Sequence, residues 1–146
     1  MPRRDALWDD VPEARRAIMR AVKCKDTKPE MAVRRLVHGM GYRYRLHRKG
    51  LPGRPDLAFG PRRKAIFVHG CFWHQHSAAG CRGARMPRAR IDYWRPKLER
   101  NKERDGRNVA ELAELGWDAL IVWECWLGDT ERVSAMLRAF LDGTGR

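Results

Sequence analysis

The chain has 146 residues, enough for one domain with a single small core. Its 31 Lys and Arg against 18 Asp and Glu give a formal charge of +13, with 43% apolar and 34% charged residues. That balance argues against extended disorder and against a metabolic enzyme that meets no polyanion. No apolar run approaches the ~20 residues of a membrane span, and the first ten residues lack the apolar stretch of a signal peptide. The expectation is a soluble, cytoplasmic protein with no membrane partner. Residues 1–107 carry +17 and residues 108–146 carry −4, so the basic character belongs to the first three quarters. There aromatic residues interleave with Arg, as in Tyr42-Arg43-Tyr44-Arg45 and Tyr93-Trp94-Arg95. Rings stack on bases while guanidinium groups neutralise phosphates, which favours nucleic acid over the ordinary alternative of a solvated face.

In chain order, residues 1–26 read as a basic N-terminal arm and 27–146 as a single domain. Residues Ala17 to Val22 could form a short helix in that arm. Thr27, Pro29 and Glu30 mark a helix start, Val33, Leu36, Val37 and Met40 share one face, and Gly39 with Gly41 supplies the stop. Tyr42, Tyr44 and Leu46 alternate with Arg43 and Arg45, predicting a half-buried strand with a basic outer face. A turn at Leu51-Pro52-Gly53-Arg54-Pro55 delivers Asp56 into a short strand to Phe59, and Lys64 to His69 reads as a buried strand. Residues 70–90 are a loop too long to be idle in a compact domain. A helical pattern from Asp92 to Gly116, with Asn101 a candidate break, precedes a buried strand at Ala119 to Trp123. Thr130 can cap a last helix whose Val133, Met136, Leu137, Phe140 and Leu141 form a core stripe. The expected fold is α/β, with one mixed sheet and helices on both of its faces.

Four cysteines without a secretory context favour metal or chemistry over disulfides. Cys71, His76 and Cys81 in the long loop and Cys125 after a strand are a donor set that tetrahedral zinc prefers. The alternative, buried small apolar thiols, suits Cys24 on the arm. Asp56 begins a strand where a side chain faces a cleft, and with Glu30 from the first helix it could hold Mg²⁺. His69 and His74 are the nearby groups able to move protons. Taken singly, each of these residues also fits a turn cap or a surface histidine.

Leu51-Pro52-Gly53-Arg54-Pro55-Asp56, then Val68-His69-Gly70-Cys71-Phe72-Trp73-His74-Gln75-His76, then Val122-Trp123-Glu124-Cys125 resemble the very-short-patch repair (Vsr) DNA mismatch endonuclease family. The likeness runs from about Met19 to Cys125. It implies a restriction-endonuclease-like mixed central sheet flanked by helices, with a zinc-stabilised loop. The implied activity is nicking on the 5′ side of the T in T:G mispairs that arise by 5-methylcytosine deamination.

By resemblance Asp56 is the Mg²⁺ carboxylate, with the Val68 backbone carbonyl as a second contact, and Glu30 is the acidic residue of the preceding helix. His74 matches the general base, with His69 and Asp105 supporting it. Phe72, Trp73 and Trp94 match an aromatic wedge, Met19 on the arm approaches from the minor groove, and Lys97 and Asn101 match positions that read base edges. Cys71, His76, Cys81 and Cys125 match the structural zinc ligands.

Val68 stands where the family can have Thr, a change that a backbone contact tolerates. Ser77 to Gly80 space His76 from Cys81 more widely than in some relatives. Relatives of this fold usually carry Glu-x-Lys in the second strand; here Val68-His69-Gly70 stands there, which puts His74 in the role of the lysine. The resemblance also implies a bacterial-type, nucleoid-associated monomer acting on double-stranded DNA with a T:G mispair, assisted by mismatch-repair proteins. The rival reading is a zinc-stabilised DNA-binding module without catalysis. A ββα-metal nuclease is a weaker rival, since its zinc form would need paired CxxC motifs that this chain lacks.

Overall fold

In the computed structural model, residues 27–76, 81, 84 and 88–143 are described. The N-terminal arm with Ala17 to Val22, Met19 and Cys24, and the spacer Ser77 to Gly80, lie outside them. The elements are α1 (Lys28–Gly39), β1 (Arg45–Leu46), β2 (Leu57–Phe59), β3 (Lys64–His69), α2 (Ile91–Glu114), β4 (Asp118–Trp123), a 3₁₀ turn (Glu124–Gly128) and α3 (Thr130–Asp142). They build a four-stranded sheet ordered β1-β2-β3-β4. The first two pairings are antiparallel and β3 runs parallel to β4, so the sheet is mixed.

Alternation along the strands assigns the two faces. Leu57, Phe59, Ile66, Val68 and Val122 meet Val33 and Val37 of α1 and Val133, Leu137 and Leu141 of α3. Ala65 and Phe67 point the other way, to Leu112 of α2. Helices therefore cover both faces, as the order of elements implies. Each fully buried Leu or Ile in these layers stabilises the fold by about 1.5–3 kcal/mol relative to exposure.

The local signals of α1 hold. The Thr27 side chain accepts from the Glu30 N–H at 3.4 Å, and Gly41, at φ +93°, takes the left-handed position past the helix end. Glu30 is 3% exposed and pairs with Arg34 at 3.1 Å. α3 is capped by Asp129, which accepts from the Arg132 N–H, and Thr130 is its first helical residue. Its last turn is held from the sheet side. Lys64 donates to the carbonyls of Phe140 and Gly143, and Arg62 donates to that of Leu141. These cations meet the negative end of the helix dipole.

Three elements differ from the sequence pattern. β1 keeps only Arg45–Leu46, and Leu46 is 43% exposed although Tyr42 and Tyr44 pack on the core. β4 begins on exposed Asp118 and is half-buried from Ala119 to Trp123 except at buried Val122, because among the described residues it forms an edge of the sheet. α2 runs without interruption through Asn101, whose side chain donates to the Trp73 carbonyl at 3.1 Å.

Candidate active site

The turn before β2 fixes the first functional side chain. Gly53 has φ +76°, and a Cβ there would lie 2.8 Å from the Asn108 side-chain nitrogen. Only glycine satisfies both the left-handed backbone and the close approach of α2. The turn ends on buried Pro55, and Asp56 follows with its Oδ2 accepting from the Val68 N–H at 2.7 Å. Glu30 enters from α1 on the other side. His47 Nε2 lies 3.3 Å from Glu30 Oε2 and 3.7 Å from Asp56 Oδ1. Burial, opposed by the Val68 N–H and reinforced by the negative charge of Glu30, pushes the Asp56 carboxyl up to about 7. Two converging carboxyl groups, buried Glu30 and half-buried Asp56, favour a cation placed between them.

β3 and the turn after it supply the second group. His69 and His74 stack with ring centroids 3.7 Å apart and planes 6° from parallel. His74 Nδ1 lies 2.5 Å from Asp105 Oδ2 on α2, so the carboxylate fixes the ring's tautomer. His69 is 5% exposed, and its Nδ1 has no hydrogen-bond partner among the described residues. Burial first, then the neighbouring His74 charge, lowers His69 to about 4 and keeps it neutral near pH 7. Both groups open onto one cavity of about 770 Å³, lined by Glu30, His47, Asp56, Val68, His69, His74 and Asp105, with Arg54 and Arg104 on its walls.

Beside the cavity, Phe72, Trp73 and Trp94 meet edge to face at 5.1 to 5.7 Å. Trp94 is 7% exposed and forms the floor, while Phe72 and Trp73 are half-buried. Lys97 Nζ lies 5.6 Å from the Trp73 and Tyr93 ring centres. The expected wedge and base-reading residues Phe72, Trp73, Trp94, Lys97 and Asn101 thus form one patch, whereas Met19 falls outside the described residues.

A candidate metal centre lies where the parallel pair ends. β3 and β4 stop in register at His69 and Trp123, and Cys71 and Cys125 each follow two residues later. His76 Nδ1 lies 3.8 Å from Cys71 Sγ and 3.4 Å from Cys125 Sγ. Cys81 completes a set whose donor atoms are within 4.8 Å of one another. A tetrahedral cation with Zn–S and Zn–N bonds of ordinary length separates sulfur from nitrogen by about 3.6 Å, so the four residues fit. Burial pushes the Cys71 thiol up to about 12, opposed by the Cys125 backbone N–H and reinforced by the Cys125 and Cys81 side chains. His76 stacks on Trp123 at 4.2 Å, which fixes its ring plane. The four residues could hold a metal ion.

The family description DNA mismatch endonuclease Vsr matches residues 9–80. The type II nicking enzyme V.XorIIP of Xanthomonas oryzae pv. oryzae is 53% identical over 131 residues, 90% of this chain and 94% of that protein. The DNA mismatch endonuclease Vsr of Escherichia coli is 42% identical over 116 residues, 80% of this chain and 72% of that one. The chain belongs to the Vsr DNA mismatch endonuclease family. The type II nicking enzyme V.NmeAIP of Neisseria meningitidis is 36% identical over 129 residues, 86% of this chain and 90% of that protein. As a Vsr-family protein the chain is a DNA endonuclease whose substrate is DNA, which sets aside the module without catalysis. No helix among the described residues is long and apolar enough to cross a membrane.

Sequence reasoning missed His47. It follows β1, and the antiparallel register Leu46↔Leu57 continued by one step sets it opposite Asp56. A hairpin pairing of β1 with β2 was the signal that could have found it.

Proposed function

We propose that this Vsr-family endonuclease nicks one strand of duplex DNA 5′ to the T of a T:G mispair, using a divalent cation at Asp56 and His74 as general base. The observation that carries this reading is the single cavity that Asp56 shares with the His74–Asp105 pair. Asp56 and the Val68 carbonyl would hold Mg²⁺, with Glu30 beside them. When bound, the cation supplies neutralisation of the scissile phosphate and of the leaving oxygen. His74 takes a proton from the attacking water on its free Nε2, and Asp105 stabilises the charged ring. His69, neutral and stacked on His74, holds the ring plane and excludes water from its back face. The products are a 3′ hydroxyl and a 5′ phosphate.

Specificity for the mispair rests on the aromatic patch. Phe72 and Trp73 enter the base stack from a floor made by Trp94, a step that is cheaper at a mispair because less stacking and pairing is lost. Lys97 and Asn101 sit at its rim to meet base edges, and the basic arm of residues 1–26, with Met19, approaches the minor groove. Residues 27–146 act as one catalytic unit, with zinc on Cys71, His76, Cys81 and Cys125. The enzyme works as a monomer in the bacterial cytoplasm, at the nucleoid and alongside mismatch-repair proteins.

The test uses matched duplexes with T:G or T:A at one position, in Mg²⁺ or in EDTA. Nicking restricted to the T strand of T:G duplexes in Mg²⁺ is expected. Equal nicking of T:A, or nicking in EDTA, would overturn the mispair or the cation reading respectively. For the base, His74→Ala is expected to slow single-turnover nicking by about 10²–10⁴-fold with little change in duplex affinity. Asp105→Asn is expected to slow it less and to shift the pH profile, because it acts through the imidazole. A His74→Ala rate within a few-fold of wild type would remove the assignment.

A further inference from the structure

We propose that His47 is a direct ligand in the cation pocket of Asp56 and Glu30, giving a mixed oxygen and nitrogen donor set that favours transition-metal dications over Mg²⁺. The inference rests on the reading above that Asp56 holds a divalent cation, and it adds a donor to it.

The placement of His47 comes from the sheet edge. β1 pairs with β2 as Arg45↔Ala58 and Leu46↔Leu57, and the His47 N–H continues the ladder to the Asp56 carbonyl at 3.4 Å. His47 then leaves the sheet at φ +43°, a left-handed conformation uncommon for a residue with a Cβ. Strained backbone of this kind concentrates where a side chain must be aimed. Here it turns the imidazole between two carboxylates of separate elements, with the His47 side chain 24% exposed and that of Glu30 only 4%.

A hydrogen bond from His47 Nε2 to Glu30 Oε2 is the competing account, and the nitrogen coupling measured below separates the two. A charge-assisted N–H to carboxylate bond closes to about 2.7–2.9 Å. His47 Nε2 stands off at 3.3 Å from Glu30 Oε2 and 3.7 Å from Asp56 Oδ1, and one N–H cannot serve both oxygens well. Glu30 Oε2 already accepts from Arg34 Nη2 at 3.1 Å. Ligands at about 2.1 Å around an octahedral cation are about 3.0 Å apart when adjacent and about 4.2 Å apart when opposite. The 3.3 Å separation is close to that of adjacent ligands and the 3.7 Å one is wider, and donor atoms of all three residues lie within 4.8 Å of one another. Imidazole nitrogen binds first-row transition metals better than it binds Mg²⁺, which prefers oxygen and water.

The experiment follows Mn²⁺ binding to the full chain by electron paramagnetic resonance, with pulsed measurements for nitrogen coupling and Mg²⁺ as competitor. It compares wild type, His47→Gln, His47→Asn and Asp56→Asn. Asn tolerates left-handed backbone, so His47→Asn separates a lost ligand from a lost fold. Wild type is expected to show directly bound nitrogen. Both His47 variants are expected to lose that coupling and to bind Mn²⁺ about 10–100-fold more weakly, with a smaller change for Mg²⁺. Wild-type Mn²⁺ without nitrogen coupling, or coupling that persists in both His47 variants, overturns the proposal while leaving the Asp56 pocket standing. Mn²⁺ binding that survives unchanged in Asp56→Asn overturns the pocket itself.

Discussion

Asp56→Asn is expected to reduce single-turnover nicking by at least about 10³-fold while duplex affinity changes little. The rate estimate follows from removing the anchor of the charge that stabilises a phosphoryl transition state. Asn is the informative substitution because its carbonyl can still accept from the Val68 N–H, which Asp56 Oδ2 meets at 2.7 Å. Asp56→Ala would leave that buried donor unpaired at a cost of about 1–3 kcal/mol and so mix stability with chemistry. Affinity is expected to hold because the substitution removes a negative charge from a cavity whose walls carry Arg54 and Arg104. Labelled T:G duplex supplies both readouts, nicking by gel and binding by anisotropy. A variant that nicks at the wild-type rate would strip Asp56 of its role.

Much of this site could be read from the chain because its parts are local. The turn Leu51 to Pro55 states its own geometry through Gly53 and Pro55, and Asp56 is delivered wherever that turn goes. His69, Cys71, His74 and His76 are close in sequence, and a strand end followed by a tight turn keeps them close in space. Asp105 is different in kind. Its meeting with His74 across 31 residues depends on α2 lying under β3, and the resemblance rather than periodicity placed it.

The misreadings share a physical origin in non-local pairing. Ala119 to Trp123 is as apolar as a central strand, but burial depends on how many neighbours a strand gains, and β4 gains only β3 among the described residues. Asn101 is a poor helix former, yet its bond to the Trp73 carbonyl and the packing of buried Leu98 and Leu112 outweigh a few tenths of a kcal/mol in propensity. Leu46 fits the alternation of Tyr42 and Tyr44 but is exposed, since β1 leaves the sheet at His47. That departure hid His47 as well, because alternation ends where its role begins.

Removing the metal from the Cys71, His76, Cys81 and Cys125 cluster is expected to unfold the domain. Elemental analysis of the purified chain is expected to give close to one zinc, and Cys71→Ser is expected to lose it together with the cooperative thermal transition. Apparent zinc binding to such sites is about 10–16 kcal/mol, as large as the roughly 5–15 kcal/mol that holds a typical domain folded. The topology explains the dependence. A parallel pair cannot be closed by a short turn, and β3 and β4 are joined only through the long loop and α2. A cation held by Cys71 and Cys125 would tie the two strand ends directly, in a chain with a small core. It would also fix the proposed general base, since His74 lies between Cys71 and His76 with its N–H bonded to the Gly70 carbonyl at 3.2 Å. Chelation that spares Mg²⁺ should therefore stop nicking as the melting transition is lost. A metal-free Cys71→Ser protein that melts at the wild-type temperature would refute the structural role of the cluster.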